Sequence, residues 1–226
     1  MASYWKAEEG IKEAEELAER FPTLRLAVGE PSEVSVVTGI LSVCDGIGYS
    51  ITLELPADYP RSVPVVKCDP REVPRKSDRH VNEATGEACL CVRSEYRMHW
   101  PRGRTISDFI QALVFPFLMA QFYYDTHGHW PPAGGRSHGK DGIIEAYREM
   151  ATRFGGSDDA LIERLMRSLA RRSHPKGHEL CPCGSGCNLR NCHRNALEEL
   201  RKLVDPRDAA LDLADCYPKA RRSVNH

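Results

Sequence analysis

The sequence predicts an α+β fold in which one helix precedes a four-stranded antiparallel sheet and several helices follow it. Three observations support this class. A helical apolar period opens the chain, four short β-prone segments follow with turn residues between them, and helical periodicity returns after residue 104. With 226 residues, the chain is long enough for one domain of about 150 residues and an appendage.

The first helix and the sheet are predicted from local patterns. Apolar residues at steps of four and three reach Phe21, and Pro22 ends the helix. The predicted strands are LRLAVG, SEVSVVTGILSV, YSITLELP and VPVVKC; apolar and polar residues alternate in the third, as in a half-buried strand. Turn residues such as Asp45-Gly46 join them, which favours an antiparallel meander. Residues 69–104 are irregular and rich in Pro, Gly, Arg and His, which predicts a functional loop.

The remaining helices are predicted from their periods and end signals. Thr105 and Asp108 can form a capping box at the start of a long apolar helix, and Pro116 is expected to kink or interrupt that helix. Further helices are predicted over GIIEAYREMATRF and SDDALIERLMRSLARR, and another after the last cysteine cluster. The predicted division is residues 1–155 as the main domain and residues 156–226 as a helical extension.

Charge and cysteine usage restrict the functional classes. The formal net charge is -1 and the pI about 6.8, so no strong field attracts nucleic acid or an anionic membrane. The acidic, amphipathic start is unlike a signal peptide, and the longest apolar run, ALVFPFLMA, is far shorter than the ~18 residues of a membrane span. Nine cysteines, five of them in the last 46 residues, favour metal binding or catalysis over disulfides. These features predict a reduced, cytoplasmic protein that binds neither membrane nor nucleic acid.

The segment HVNEATGEACLC, from His80 to Cys91, combines a turn, an asparagine and two cysteines. A nearby amide can stabilise the oxyanion that forms when a thioester on a cysteine is attacked. A buried structural cysteine, which is the alternative for this thiol, needs no such neighbour. Cys44 and Cys68, by contrast, lie in strand-like segments and are predicted to be core residues.

Short motifs occur in a fixed order around this segment. They are Tyr-Pro followed by Pro, His-x-Asn, Gly-x-x-Cys-Leu, Trp-Pro and a helix opening Thr-Ile, at Tyr59, Pro60, Pro64, His80, Asn82, Gly86, Cys89, Leu90, Trp100, Pro101, Thr105 and Ile106. Together with the helix and the meander, this order resembles the ubiquitin-conjugating enzymes (the UBC fold) over roughly half of the chain. The resemblance implies that Cys89 accepts the C-terminus of a ubiquitin-like modifier protein from an activating enzyme and passes it to an amine of a protein target.

The resemblance also implies roles for the neighbours of Cys89. Asn82 would steady the oxyanion and the loop, and His80 would stabilise the turn. Two departures from the family pattern affect where the Asn82 amide lies: Val81 replaces a proline, and the loop from Asn82 to Gly86 is one residue shorter. The later Trp-Pro, His-Gly, Gly-Ile and Tyr pattern resembles bacterial conjugating-enzyme-like proteins, which implies a transferase of an anti-phage defence operon.

Several alternatives remain open. Cys91 is a spare thiol, a redox partner or a core residue. The basic residues that follow would raise the thiolate content of Cys89, contact an acidic partner, or form a solvated loop: Arg93, Arg97, His99, Arg102 and Arg104. A histidine among His127, His129 and His138 is expected to approach Cys89; the alternative is a glycine-rich surface turn. For the whole chain, the alternatives are a catalytically silent scaffold of the same fold and a redox protein built on the two neighbouring thiols.

The segment CPCGSGCNLRNCH contains a Cys-x-Cys pair followed by Cys-His around a glycine-rich turn. Three thiolates and one imidazole form the tetrahedral set that zinc prefers, and with no open position the metal would be structural. The segment resembles the SEC-C motif, a small zinc-binding tail of the bacterial preprotein translocation ATPase and other proteins. This resemblance implies that Cys181, Cys183, Cys192 and His193 bind Zn²⁺ and that the tail docks protein partners. Cys187 is a spare thiol or a competing ligand.

Overall fold

The structure is a computed structural model that describes residues 7–29, 33–132 and 135–218. Internal contacts divide the chain into two compact units. The first unit consists of the residues up to Leu90 together with His99–Gly135. The second consists of Cys91–Met98 together with the residues from Arg136 onward.

The first unit begins with a helix and an antiparallel sheet, which confirms the α+β prediction. Helix α1 (Ala7–Arg20) is followed by four strands in the order β1-β2-β3-β4, which are β1 (Leu24–Ala27), β2 (Ser35–Cys44), β3 (Ile47–Leu55) and β4 (Val65–Cys68). All neighbouring pairs are antiparallel, and Asp45 and Gly46 form the two-residue turn between β2 and β3. Ile51, Leu53 and Leu55 are buried on one face of β3, as the alternation predicts.

The segment between the sheet and the next long helix contains only short helical turns in addition to a small hairpin. The turns are Ser77–Arg79, Arg93–Glu95 and α2 (Tyr96–His99). A single helical run then follows as α3 (Ile106–Phe109), a π-helical turn (Ile110–Val114) and α4 (Phe115–His127). The predicted capping box is confirmed, because Thr105 and Asp108 each bond to the other's backbone N–H.

Pro116 does not end this helical run. It lies in the first turn of α4, directly after the π-helical turn, where the widened hydrogen-bond pattern accommodates a residue that has no N–H. The whole run, residues 106–127, is 22 residues long and by length and composition alone could cross a membrane, which differs from the prediction that no segment could. Half of its most apolar window is buried inside the protein, as in a core helix of a globular unit.

The Tyr-Pro and Trp-Pro elements meet in the core of the first unit. The rings of Tyr59 and Trp100 are both almost fully buried and stack with centroids 5.9 Å apart, and Phe109 contacts Trp100 edge-on at 5.3 Å. The Tyr59 hydroxyl donates to Glu13 of α1, and the Ile106 N–H donates to the same carboxylate, each over 2.9 Å. The motifs that carry the resemblance therefore include a packing core that links α1 to the start of α3.

The second unit is helical. Its long elements are α5 (Gly139–Ala151), α6 (Asp159–Ala170), α7 (Arg194–Leu203) and α8 (Pro206–Cys216). Asp158 caps α6, and α8 was not expected from the sequence. Residues of all four helices, including Tyr147 and Leu213, share one apolar core. Since α5 belongs to this core, the division by contacts falls near residue 136 rather than at the predicted boundary of 155/156.

Candidate functional site

Cys89 lies on a short hairpin at the edge of the sheet. Val81 and Ala88 face each other in an antiparallel bridge, flanked by hydrogen bonds from the Asn82 N–H to the Glu87 carbonyl (2.9 Å) and from the Cys89 N–H to the His80 carbonyl (2.7 Å). The Ala88 N–H also donates to Val66 of β4 over 2.8 Å, which attaches the hairpin to the sheet. The backbone around Cys89 is therefore fixed on both sides.

The register of the hairpin places Asn82 and Cys89 on one face. Side chains alternate along a strand, so Val81 and Ala88 point to one side while Asn82, Glu87 and Cys89 point to the other. Burial agrees with this arrangement: Val81 is buried, whereas Asn82, Glu87 and Cys89 are exposed. Residues 82 and 89 are diagonal neighbours across the pair, about 7 Å apart at their Cα atoms. The register thus places the predicted amide and the predicted thiol on the same accessible face of the hairpin.

The thiol of Cys89 is exposed but not fully hydrated. The atoms packed around it remove part of its hydration, and the carboxylate of Glu87 on the same face adds negative charge. Both effects raise the pKa of Cys89, the loss of hydration being the larger. At neutral pH the free cysteine is therefore mainly a thiol, and its reactivity rises with pH.

The carboxamide of Asn82 is oriented by its own turn. Its oxygen accepts hydrogen bonds from the N–H groups of Ala84 (2.9 Å) and Thr85 (3.0 Å). An amide oxygen only accepts, so the Nδ2 group is the end of this side chain that can donate. Gly86 completes the turn with a φ of +74°, and a Cβ at this position would lie 2.8 Å from the guanidinium of Arg75. Only glycine fits this turn without strain.

His80 adopts the left-handed conformation, with φ 50° and ψ 40°. Among the described residues it is the only non-glycine residue with a positive φ. The edge of its ring meets Trp130 at 4.5 Å between centroids, and the Trp130 Nε1–H donates to the Asp78 carbonyl over 2.6 Å. The sequence predicts that a histidine of this later stretch approaches Cys89; the contact with the loop seen here is that of Trp130 with His80.

The other predicted neighbours lie elsewhere. His127 and His129 pack on the ring of Tyr123, with centroids 4.0 and 5.7 Å away. Cys91 belongs to the second unit and is half-buried; burial and, less strongly, Glu95 raise its pKa. Arg93 is paired with Asp212 and Asp215 of α8, so it is not part of a solvated loop.

Cys44 and Cys68 are only half-buried, which is less than a core position would require. Burial still raises the pKa of Cys68 to about 12, so its thiol stays protonated. All nine cysteines of the chain are free thiols. This observation leaves Cys89 and Cys187 as the two exposed thiols of the chain.

A buried polar group that no motif of the sequence identifies holds the loop. Arg79 is buried, and its Nε–H donates to the Oε1 of Gln121 over 2.7 Å, while the Nε2 of Gln121 donates back to the Arg79 carbonyl over 2.7 Å. The other arm of the guanidinium bonds to Asp125 at 2.5 Å, and Asp125 also accepts from the hydroxyl of Tyr49 at 3.0 Å. An arginine beside the His-x-Asn motif and a glutamine in an apolar helix are the only signals the sequence offers.

A second site in the chain has the composition of a metal centre. The ligand atoms of Cys181, Cys183, Cys192 and His193 all lie within 4.8 Å of one another. A tetrahedral zinc ion with bonds of about 2.3 Å to sulfur and about 2.0 Å to nitrogen requires S···S distances of about 3.8 Å and S···N distances of about 3.5 Å. The sulfurs of Cys183 and Cys192 are 3.6 Å apart, and the His193 Nδ1 lies 3.4 Å from the Cys181 sulfur and 3.2 Å from the Cys192 sulfur. The four residues can therefore hold a metal ion, and their geometry is compatible with zinc.

The cluster is built into the second unit. Cys181 is almost fully buried and belongs to the same core as the helices. The ring of Phe154 lies 5.3 Å from that of His193, and the Arg164 Nε–H donates to the Pro182 carbonyl over 2.7 Å. Cys187 contributes its backbone carbonyl to the knuckle, while its side chain is exposed and outside the group of four.

Comparisons with known proteins add no family assignment to this geometry. No family model matches the chain, and no curated protein or solved structure is significantly similar to it.

Proposed function

We propose that the chain is a ubiquitin-conjugating-like transferase that carries the C-terminus of a ubiquitin-like protein on Cys89 as a thioester. The observation that carries this proposal is the exposed Cys89 thiol, which shares one face of a fixed hairpin with the Asn82 amide. Support also comes from the order of the elements, with a helix, a four-stranded meander, an irregular loop and a long helix, as the resemblance implies. An activating enzyme would supply the modifier, in the cytoplasm of a bacterium and within an anti-phage defence operon.

The proposed reaction has two acyl transfers. The thiolate of Cys89 attacks the thioester carbonyl on the activating enzyme, a new C–S bond forms, and the enzyme's thiolate leaves. A target amine then attacks the Cys89 thioester, an amide C–N bond forms, and the Cys89 thiolate leaves and takes up the proton that the amine releases. Neither step needs an oxidant, because a thioester is already activated toward amines.

Asn82, Glu87 and Cys89 of the hairpin have different roles in this reaction. The Nδ2 of Asn82 is the donor for the oxyanion that forms in both transfers. Glu87 places a negative charge beside the thioester, which attracts the ammonium of a lysine acceptor; this ammonium must give up a proton to water before the neutral amine attacks. The raised pKa of Cys89 keeps the free thiol mostly protonated at neutral pH, and this protects it from unspecific alkylation and oxidation between cycles.

A direct test uses a synthetic peptide thioester ending in glycine, with free lysine as the acceptor. The chain should form an adduct that is stable to gel electrophoresis and released by excess thiol, and lysine should discharge it. Cys89→Ala should abolish the adduct and Cys91→Ala, the matched control two residues away, should retain it. Retention of the adduct by Cys89→Ala contradicts the assignment. A chain that binds an activating enzyme but never forms an adduct supports the silent scaffold instead.

For the second unit we propose a structural Zn²⁺ ion held by the four clustered residues. When bound, the ion would cross-link the knuckle that joins α6 to α7. The buried Cys181 and the ring contact of His193 support a structural role, since a core ligand leaves little room for a substrate. The resemblance to the SEC-C motif further suggests that this unit docks a protein partner.

A further inference from the structure

Three successive backbone carbonyls of the loop before Cys89 are held by three different donors. The Asp78 carbonyl accepts from the Trp130 indole (2.6 Å), the Arg79 carbonyl from the Gln121 amide (2.7 Å) and the His80 carbonyl from the Cys89 N–H (2.7 Å). The first two donors come from α4 and the residues just after it, and the third is the backbone of the reactive cysteine. The helix and the hairpin therefore fix the same short stretch of chain.

Gln121 and Arg79 form the buried centre of this arrangement. Gln121 has no exposed surface, and it both accepts from the Arg79 side chain and donates to the Arg79 backbone. The guanidinium also lies 4.5 Å above the ring of Tyr124 and bonds to Asp125. A buried arginine is tolerated only when its charge and its donors are satisfied, so this set of partners admits one placement of residue 79.

The restraint from α4 adds to the hydrogen bonds that the loop makes within itself and to β4. Residue 81 is Val, so no proline ring fixes φ at this point of the turn. His80 nevertheless adopts the left-handed conformation, which is unfavourable for a residue other than glycine and persists only where the surroundings impose it. Those surroundings include the bonds to residues 78 and 79 from Trp130 and Gln121, the Trp130 ring against His80 and the bond from the His80 N–H to the Ser77 carbonyl.

We infer that Gln121 and Arg79 are positioning residues that set the register of the hairpin and thereby place the Asn82 amide beside the Cys89 sulfur. They touch no substrate and act only through the backbone of residues 79 and 80. Their contribution to catalysis rests on the proposed transferase function, while their effect on the hairpin can be measured without it.

The first experiment measures the hairpin itself. Amide hydrogen exchange at Cys89 is followed by NMR in Gln121→Met, which removes both bonds, and in Gln121→Glu, which can accept from Arg79 but cannot donate to its carbonyl. Gln111 lies on the same helical run with an exposed side chain, so Gln111→Met and Gln111→Glu are matched controls. We expect exchange at Cys89 to accelerate at least about tenfold in both Gln121 variants and to stay unchanged in the controls. Equal protection in Gln121→Met and Gln111→Met overturns the inference.

The second experiment tests whether the effect reaches the chemistry through Asn82. The peptide thioester on Cys89 is discharged with free lysine in Gln121→Met, in Asn82→Ala and in the double variant. A lost oxyanion donor slows such a step by about 100- to 1000-fold, and we expect the two single variants to be slow and the double variant to be no slower than Asn82→Ala. Multiplied effects in the double variant overturn the inference, because Gln121 would then act independently of Asn82.

Two safeguards keep these outcomes distinct. If Gln121→Met fails to fold, which the fluorescence of Trp100 and Trp130 reveals, Asp125→Asn weakens the hold on Arg79 from a partly exposed position and should give a smaller effect in the same direction. If the unmodified chain forms no thioester at all, the proposed function fails, and the exchange measurement at Cys89 alone decides whether Gln121 holds the hairpin.

Discussion

The buried carboxylate of Asp212 allows a prediction about how the stability of the second unit depends on pH. Its side chain is 1% exposed on α8, 3.1 Å from the Arg93 guanidinium and 3.4 Å from the Tyr147 hydroxyl. Burial raises the pKa of Asp212 to about 6, although Ser94 and Arg93 counteract it. Replacing this residue with asparagine keeps the shape of the side chain and removes its charge.

The magnitude follows from the difference between the folded and unfolded pKa. A tenfold change in proton affinity corresponds to about 1.4 kcal/mol, so a pKa of about 6 against an ordinary value of 3.8 corresponds to about 3 kcal/mol. The folded chain binds the proton more tightly than the unfolded chain. The stability that protonated Asp212 contributes is therefore complete below pH about 4, is lost as the pH rises to about 6, and remains absent above that.

Asp215→Asn is the matched control for Asp212→Asn, because Asp215 pairs with the same Arg93 at 2.7 Å but is half exposed. The sequence of the second unit contains no tryptophan, so tryptophan fluorescence does not report on this core. Native-state hydrogen exchange of α6 and α8, corrected for intrinsic rates, measures the stability of this core instead. The free energy of unfolding of Asp212→Asn minus that of the unmodified chain should be larger at pH 7 than at pH 4 by up to about 3 kcal/mol. For Asp215→Asn, the same difference should change by less than about 1 kcal/mol. A difference for Asp212→Asn that is the same at both pH values refutes the reasoning.

Three further predictions concern the other sites. Glu87→Gln removes a charge that raises the pKa of Cys89, so iodoacetamide should alkylate Cys89 faster at pH 7.5. Mass spectrometry of the Cys89 peptide measures this rate, and a slower rate contradicts the assigned electrostatics. Cys181→Ser should lose the bound zinc and lower the unfolding temperature, whereas Cys187→Ser should keep about one zinc per chain in a colorimetric metal assay; zinc retained by Cys181→Ser would exclude Cys181 as a ligand. Thr105→Ala removes a helix cap and should cost about 1 kcal/mol in urea unfolding, with no change in metal content.

Local patterns predicted the elements whose stabilising contacts are close in sequence. The alternation in β3, the Asp45-Gly46 turn and the capping box at Thr105 depend on residues at most a few positions apart, and all three appear in the structure. Helix α8 also had a local start signal, because Asp205 caps it and Pro206 occupies its first turn.

The positions that depend on distant contacts could not be predicted. Arg79 and Gln121 are 42 residues apart, and nothing in either local sequence specifies that they bond to each other. The contact of Trp130 with His80 and the inclusion of α5 in the second unit's core have the same origin. In each case the arrangement is stabilised by burying a side chain against a partner that is distant in sequence and becomes a neighbour only in the folded chain.

The sequence by itself determined which residues are chemically competent. A thiol and an amide seven positions apart, and three thiols with an imidazole within thirteen residues, are properties of covalent order, since a short chain segment limits how far such groups can separate. Only the tertiary structure decided that the first pair shares an exposed face and that the second set reaches metal-ligand spacing. It also decided that a buried arginine and glutamine hold the loop, because side-chain direction and burial depend on the packing of elements distant in sequence.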